Sequence, residues 1–148
     1  MSDFAGAQRF DHTALAVESI DAALPLYRDL LGGELRFDHT DARAGFRAVQ
    51  LRYPNGARLE LLEPYGERSF LRAFLAERGE GAHHLTYLVE DLRAAVAAIR
   101  AAGYRVVDED YANPAWQQAF ISPVSAHGTV VQLASNGRGP RTTPPPTP

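Results

Sequence analysis

The 148-residue sequence contains no cysteine and no lysine. Without cysteine there is no disulfide framework, no thiolate nucleophile and no Cys-ligated zinc, so any bound metal must be held by nitrogen and oxygen donors. Without lysine, all 15 residues of the Lys+Arg count are arginine, and Schiff-base chemistry is excluded. No apolar run approaches the roughly 18–20 residues needed to cross a bilayer. The opening MSDFAGAQRF lacks the basic-then-apolar order of a secretory leader, so a soluble, cytoplasmic protein with no membrane partner is expected. The formal charge of -3, with the arginines scattered along the chain, lacks the basic excess that neutralises phosphate backbones, and nucleic acid is not an expected partner. The length suits one domain, or two small modules sharing a core.

What the sequence does contain is a repeat. A shift of 72 residues lays the phrase FDHTALAVESI, which holds His12, over AHHLTYLVEDL, which holds His84. It also lays Val17 on Val89, Glu18 on Glu90, Ala22 on Ala94, Ala23 on Ala95 and Arg28 on Arg100. Ile20, Ala23, Leu24 and Tyr27, like Leu92, Ala95, Val96 and Ile99, have the i, i+3, i+4, i+7 spacing of one helical face. Ser19 and Asp91 suit N-cap positions, while Gly32 and Gly103 stand where a left-handed residue ends a helix. Pro25 lies inside the first helix and predicts a bend there. Three strand-like runs follow each helix: ELRF, GFRAVQLRY and ARLELLE, then YRVV, WQQAFIS and TVVQLA. The reading is α+β, two βαβββ modules in tandem. Residues 8–66 form the first module, 67–80 a connecting helix capped by Ser69 and ended by Gly79, and 81–135 the second module. The Pro-rich stretch 136–148 is expected to be a disordered tail.

The same shift carries Gly56 onto Gly128, Leu61 onto Leu133 and Glu60 onto Gln132, so 48 residues separate histidine from the late polar residue in both halves. Strand alternation puts His84, Thr86 and Leu88 on one face and His83, Leu85, Tyr87 and Val89 on the other. With the larger apolar set under the helix, His12 and His84 take the opposite face. By the same rule Leu59, Leu61, Val131 and Leu133 lie under the helices, and Glu60 and Gln132 turn toward the histidine face. Two imidazoles, one carboxylate and one amide suit a divalent ion of intermediate hardness (Co, Ni, Mn, Zn or Fe), and six-coordination leaves two adjacent positions for substrate oxygens. His83 and His39 are read as structural or surface residues, and His127, beside Gly128, as a turn residue or a contact at a pocket rim. Tyr111, Trp116 and Phe120 can line an apolar cleft, although Trp116 and Phe120 are at strand spacing and fit a core equally well.

The phrases FDHTALAVESIDAALPLYRDLLG, ARLELLEP, GAHHLTYLVEDL and HGTVVQL resemble the vicinal oxygen chelate superfamily over about residues 8–136. Within it they resemble methylmalonyl-CoA epimerases and glyoxalase I enzymes most, and the ELLEP phrase is especially epimerase-like. The resemblance implies paired βαβββ modules forming a curled mixed sheet around a central metal site, with ligands at His12, Glu60, His84 and Gln132, and a homodimer. One position departs from it: the last ligand in both families is usually a glutamate that also moves the substrate proton, and here it is Gln132. An amide is no general base near neutral pH, so the base role is expected to fall on Glu60. Ala48 and Gln50 stand where a second carboxylate for two-sided epimerisation could come from. The expected function is a metal-dependent isomerase or lyase that moves a proton at a carbon next to a carbonyl. Its substrate would carry two vicinal oxygens, and an acyl-CoA is the specific expectation. The alternatives are a glyoxalase I-like lyase, a ring-cleaving dioxygenase using Fe(II) in a 2-His-1-carboxylate site, and a non-catalytic, drug-sequestering binder of the same fold.

Overall fold

Each half of the chain does run strand, helix, three strands. The computed structural model describes residues 4–138; of the tail expected at 136–148, residues 139–148 lie outside the described residues. Two units separate between Asp11 and His12 and between His83 and His84, so one unit is residues 12–83 and the other holds the described residues before and after it. The connecting helix belongs to the former.

In residues 12–83, β1 (Arg9–Ala16) leads into α1 (Ile20–Leu24), followed by β2 (Glu34–Asp41), β3 (Phe46–Arg52) and β4 (Arg58–Pro64). The sheet order is β2-β3-β4-β1, antiparallel except for β1 beside β4. Ser19 caps α1 by accepting from the Ala22 N–H at 3.1 Å. Glu63 Oε1 accepts from the Ile20 N–H at 2.9 Å, satisfying a second of the donors a helix start leaves open. The effect of Pro25 differs from a simple bend. Its missing N–H ends the α register, and the chain continues as a π-helical stretch, Pro25–Leu30, in which Leu31 N–H donates to Leu26 O at 2.9 Å, five residues back. Gly32 then closes the helix at φ 81°. The glycine after it serves packing instead: a Cβ on Gly33 would lie 2.9 Å from Tyr27 O and 3.0 Å from the Leu51 side chain.

Two clusters bury opposite faces of this sheet. Val17, Ile20, Leu24, Val49, Leu51 and Leu61 pack under α1, with Leu15 and Leu59 beside them, as alternation requires. On the other face Ala14, Ala16, Ala48 and Leu62 pack against Leu71 and Leu75 of α2 (Phe70–Arg78), which Ser69 and Gly79 cap as expected. The small side chains at 14, 16 and 48 let α2 cover the part of that face next to His12.

In the other unit, β5 (Gly81–Leu88) leads into α3 (Leu92–Ala101), then β6 (Val106–Asp110), β7 (Gln117–Ile121) and β8 (Val130–Ser135), ordered β5-β8-β7-β6 with β5 parallel to β8. Asp91 caps α3 through the Ala94 N–H at 3.1 Å. Gly103, at φ 96°, follows its C-terminus. Leu92, Ala95 and Val96 pack on Val89, Val106, Ala119 and Leu133, with Tyr87 and Val131 alongside. Both second strands carry a bulge, at Arg36 between the paired Leu35 and Phe37, and between Val107 and Asp110, where Asp108 adopts φ 54°. Arg36 and Asp108 are themselves one repeat apart. No helix among the described residues is long and apolar enough to cross a membrane.

Candidate metal centre

Burial of five polar side chains on apolar strands marks the candidate site. His12 is 3 % exposed and His84 7 % exposed, while Gln50, Thr86 and Gln132 are buried beside them in their own units. Buried polar groups persist only when bonded, so their partners define the arrangement.

In residues 12–83, His12 Nε2 lies 3.2 Å from Glu60 Oε2. Register explains the meeting: Glu60 is level with Ala14 on β1 and with Gln50 on β3, and His12 is two residues before Ala14 on the same face. Gln50 Nε2 donates to the same Glu60 Oε2 at 3.1 Å, and Arg36 Nη1 donates to Gln50 Oε1 at 2.7 Å. In the other unit, Gln132 is level with Thr86 on β5 and Phe120 on β7. Thr86 Oγ1 donates to Gln132 Oε1 at 2.7 Å, and Gln132 Nε2 donates to Gln118 Oε1 at 2.8 Å. Trp116 Nε1 also donates to Gln118 Oε1, at 3.2 Å.

Each unit thus supplies two of the four expected ligands, and the structure brings His12 and Glu60 together. Ions of this class hold imidazole nitrogen and carboxylate oxygen at about 2.0–2.2 Å, so two neighbouring donors on one ion sit about 3 Å apart. The 3.2 Å separation of His12 Nε2 and Glu60 Oε2 fits that spacing. Among the described residues no group of three or more His, Cys, Asp or Glu side chains is gathered where it could hold a metal ion.

His83 takes another role. Its ring packs edge-on to Phe74 at 4.8 Å between centroids and tilted to Phe70 at 5.7 Å, and burial lowers its pKa below the ordinary histidine value. His39 is exposed on β2, and His127 is an exposed turn residue at φ 60° between β7 and β8. The aromatic trio divides. Tyr111 packs against the α3 cluster with Arg93 stacked 3.8 Å over its ring, Phe120 is half-buried level with Gln132, and Trp116 is exposed at its ring but bonded through its N–H. Of the two glutamates in ELLEP, Glu60 joins His12 and Glu63 caps α1. Arg36 and Gln118 are absent from the sequence-based expectations, while Gln50, Thr86 and Trp116 figure there only in other roles. Thr86, two residues from His84 on a strand, was the one the periodicity could have marked.

This architecture is one shared by a known class. Residues 11–121 match the model of the glyoxalase/bleomycin resistance protein/dioxygenase superfamily, and the chain belongs to that superfamily. Its relatives narrow the class. The ethylmalonyl-CoA/methylmalonyl-CoA epimerase of Cereibacter sphaeroides is 33% identical over 132 residues, covering 84% of this chain and 96% of that one. The crystal structure of methylmalonyl-CoA epimerase from Mycobacterium tuberculosis superposes with a TM-score of 0.79 at 30% identity, over 89% of this chain and 90% of that one. A variant of the Streptomyces coelicolor methylmalonyl-CoA epimerase, in complex with 2-nitronate-propionyl-CoA, gives 0.80 at 29% identity, over 92% and 99%.

Proposed function

We propose that this protein is a divalent-metal-dependent isomerase of the epimerase type, which moves a proton at the carbon next to the thioester carbonyl of an acyl-CoA. The observation that carries the reading is the His12–Glu60 pair, a buried imidazole and a half-buried carboxylate at cis-ligand spacing. The kinship with methylmalonyl-CoA epimerases, one of them seen with methylmalonyl-CoA itself, supports the substrate class.

His12, Glu60, His84 and Gln132 would hold the ion. When bound, it supplies positive charge that makes the carbon acid easier to deprotonate. Glu60 takes the proton, since a carboxylate can do so and the amide of Gln132 cannot, and inversion requires a proton to be delivered to the opposite face of the carbon. Gln50 keeps Glu60 in place by donating to its Oε2. His12 is 3 % exposed and so shielded from water, which strengthens each polar contact there. A homodimer and a cytoplasmic location belong to the same proposal; light scattering of the purified protein tests the first.

The test is solvent exchange at the α-carbon. Protein reconstituted with Co(II) or Mn(II) is incubated with (2R)-methylmalonyl-CoA in deuterated water and the α-proton is followed by NMR. Exchange that needs the metal and is lost in Glu60→Ala is expected. An α-proton that stays unexchanged with the loaded parent protein overturns the substrate assignment.

A further inference from the structure

Beside Glu60 and beside Gln132 stands a glutamine whose orientation is dictated by a group that can only donate. Amide oxygen and nitrogen usually have to be assigned from their partners, and here the partners leave one assignment. The guanidinium of Arg36 has no acceptor, so the Gln50 atom facing it at 2.7 Å is Oε1, and Nε2 is left for Glu60. The indole N–H of Trp116 is likewise a donor only, so Gln118 must show it an oxygen. That same oxygen faces the side-chain amide of Gln132 at 2.8 Å, which must therefore present Nε2. The Gln132 carbonyl oxygen is then turned to β5, where Thr86, two residues from His84 on the same face, donates to it at 2.7 Å.

We propose that these two oriented relays determine which half of the chain carries the carboxylate. Arg36 and Gln50 present a proton to position 60, which suits the acceptor-only carboxylate of Glu60. Trp116 and Gln118 present a lone pair to position 132, which requires a donor and excludes an ionised glutamate. The bulge at Arg36 serves the first relay, because the extra residue re-aims that side chain along the strand. Trp116, Gln118, Arg36 and Gln50 are positioning residues. The second relay also fixes the Gln132 oxygen, the atom an amide ligand uses, on the β5 side; this consequence for metal binding rests on the reading given under Proposed function.

The test begins with metal-free protein, so that it does not depend on that reading. Gln132→Glu sets a carboxylate against the Gln118 carbonyl oxygen and is expected to lower the melting midpoint by roughly 2–10 °C. Trp116→Phe removes only a donor at an exposed ring. With that donor gone Gln118 can turn its N–H toward residue 132, and Gln132→Glu in this background is expected to cost less than half as much. Equal losses in both backgrounds overturn the relay. The second readout is Co(II) affinity, followed by the d–d spectrum. Gln118→Met is expected to weaken it on the order of tenfold, and Gln118→Glu, which keeps an acceptor toward both donors, to recover most of it. Gln132→Ala separates the two ideas. Coupled melting shifts with unchanged Co(II) affinity in Gln132→Ala support the relay and remove Gln132 from the ligand set. Weakened Co(II) binding in Gln132→Ala with uncoupled melting shifts overturns the relay and keeps the ligand.

Discussion

Adjacent histidines with opposite duties make a sharp test, because the same substitution at neighbouring positions should fail in different assays. His83 packs against two rings, Phe74 at 4.8 Å in an edge-on arrangement and Phe70 at 5.7 Å tilted. Aromatic pairs of this kind contribute about 0.5–1.5 kcal/mol each beyond their area. Phe70 is 49% exposed, so its share sits at the low end, and His83→Ala is expected to cost about 1–2 kcal/mol in all. For a chain of this size that lowers the melting midpoint by roughly 2–8 °C. His83→Phe keeps a ring of similar size against both partners and should hold the midpoint near that of the parent. Neither substitution is expected to change Co(II) affinity by more than about threefold, since His83 points away from the ligand face. His84→Ala should do the reverse, weakening Co(II) by at least about tenfold. Thermal melts by circular dichroism and a Co(II) titration on the same four proteins decide the matter. If His83→Ala loses Co(II) as His84→Ala does while its midpoint stays put, the division of labour drawn from strand alternation is wrong.

Other substitutions probe other links. Leu71 is fully buried under Ala14, Ala16 and Ala48, so Leu71→Ala should destabilise by about 2–5 kcal/mol in urea unfolding; a loss under about 1 kcal/mol would mean that α2 is not holding the His12 face. Glu63 Oε1 accepts from the Ile20 N–H, and Glu63→Ala should cost about 0.5–2 kcal/mol as a lost cap while leaving Co(II) affinity intact, unlike Glu60→Ala. Arg47 donates to Asp38 at 2.8 Å and to Asp21 at 3.0 Å, and its hydrogen bond holds the Asp38 carboxyl below the usual carboxylate range. A depressed carboxyl contributes stability that is complete above about pH 4, the unfolded value, and disappears as pH falls through the lower folded value. Arg47→Met should therefore cost less than about 1 kcal/mol at neutral pH, because the pair is exposed to solvent, and less still in acid; a deficit that grows on acidification contradicts this.

The repeat made much of the fold legible before any coordinates. One shift in the sequence relates the helix caps Ser19 and Asp91 and the sorting of Leu61 and Leu133 under helices, and the terminating Gly32 and Gly103 fall within one residue of it, because all of these depend on local periodicity and on single-residue backbone preferences. The pairing of His12 with Glu60 followed from the same alternation. What periodicity does not encode is register between strands. Gln50 is level with Glu60, but its counterpart beside Gln132 is Phe120, because the turn after β7 is longer than the one after β3. The shift that aligns the ligands therefore misaligns the residues next to them, and the bonding of Trp116 and Gln118 to Gln132 is not legible from it. A π-helical answer to Pro25 was also out of reach, since its missing N–H constrains what the helix loses and not how the following turn closes. Of Tyr111, Trp116 and Phe120, open in the sequence between a cleft and the core, Tyr111 packs on the α3 cluster with Arg93 over its ring.

The proposed function stands on His12, Glu60, His84 and Gln132 each contributing to the binding of one divalent ion. Its most direct measurement is a Co(II) titration of metal-free protein, read by isothermal calorimetry, on the parent and on His12→Ala, Glu60→Ala, His84→Ala and Gln132→Ala. One ion per chain is expected, with each substitution weakening binding by at least about tenfold. Binding that is absent in the parent, or that survives all four substitutions unchanged, would contradict it.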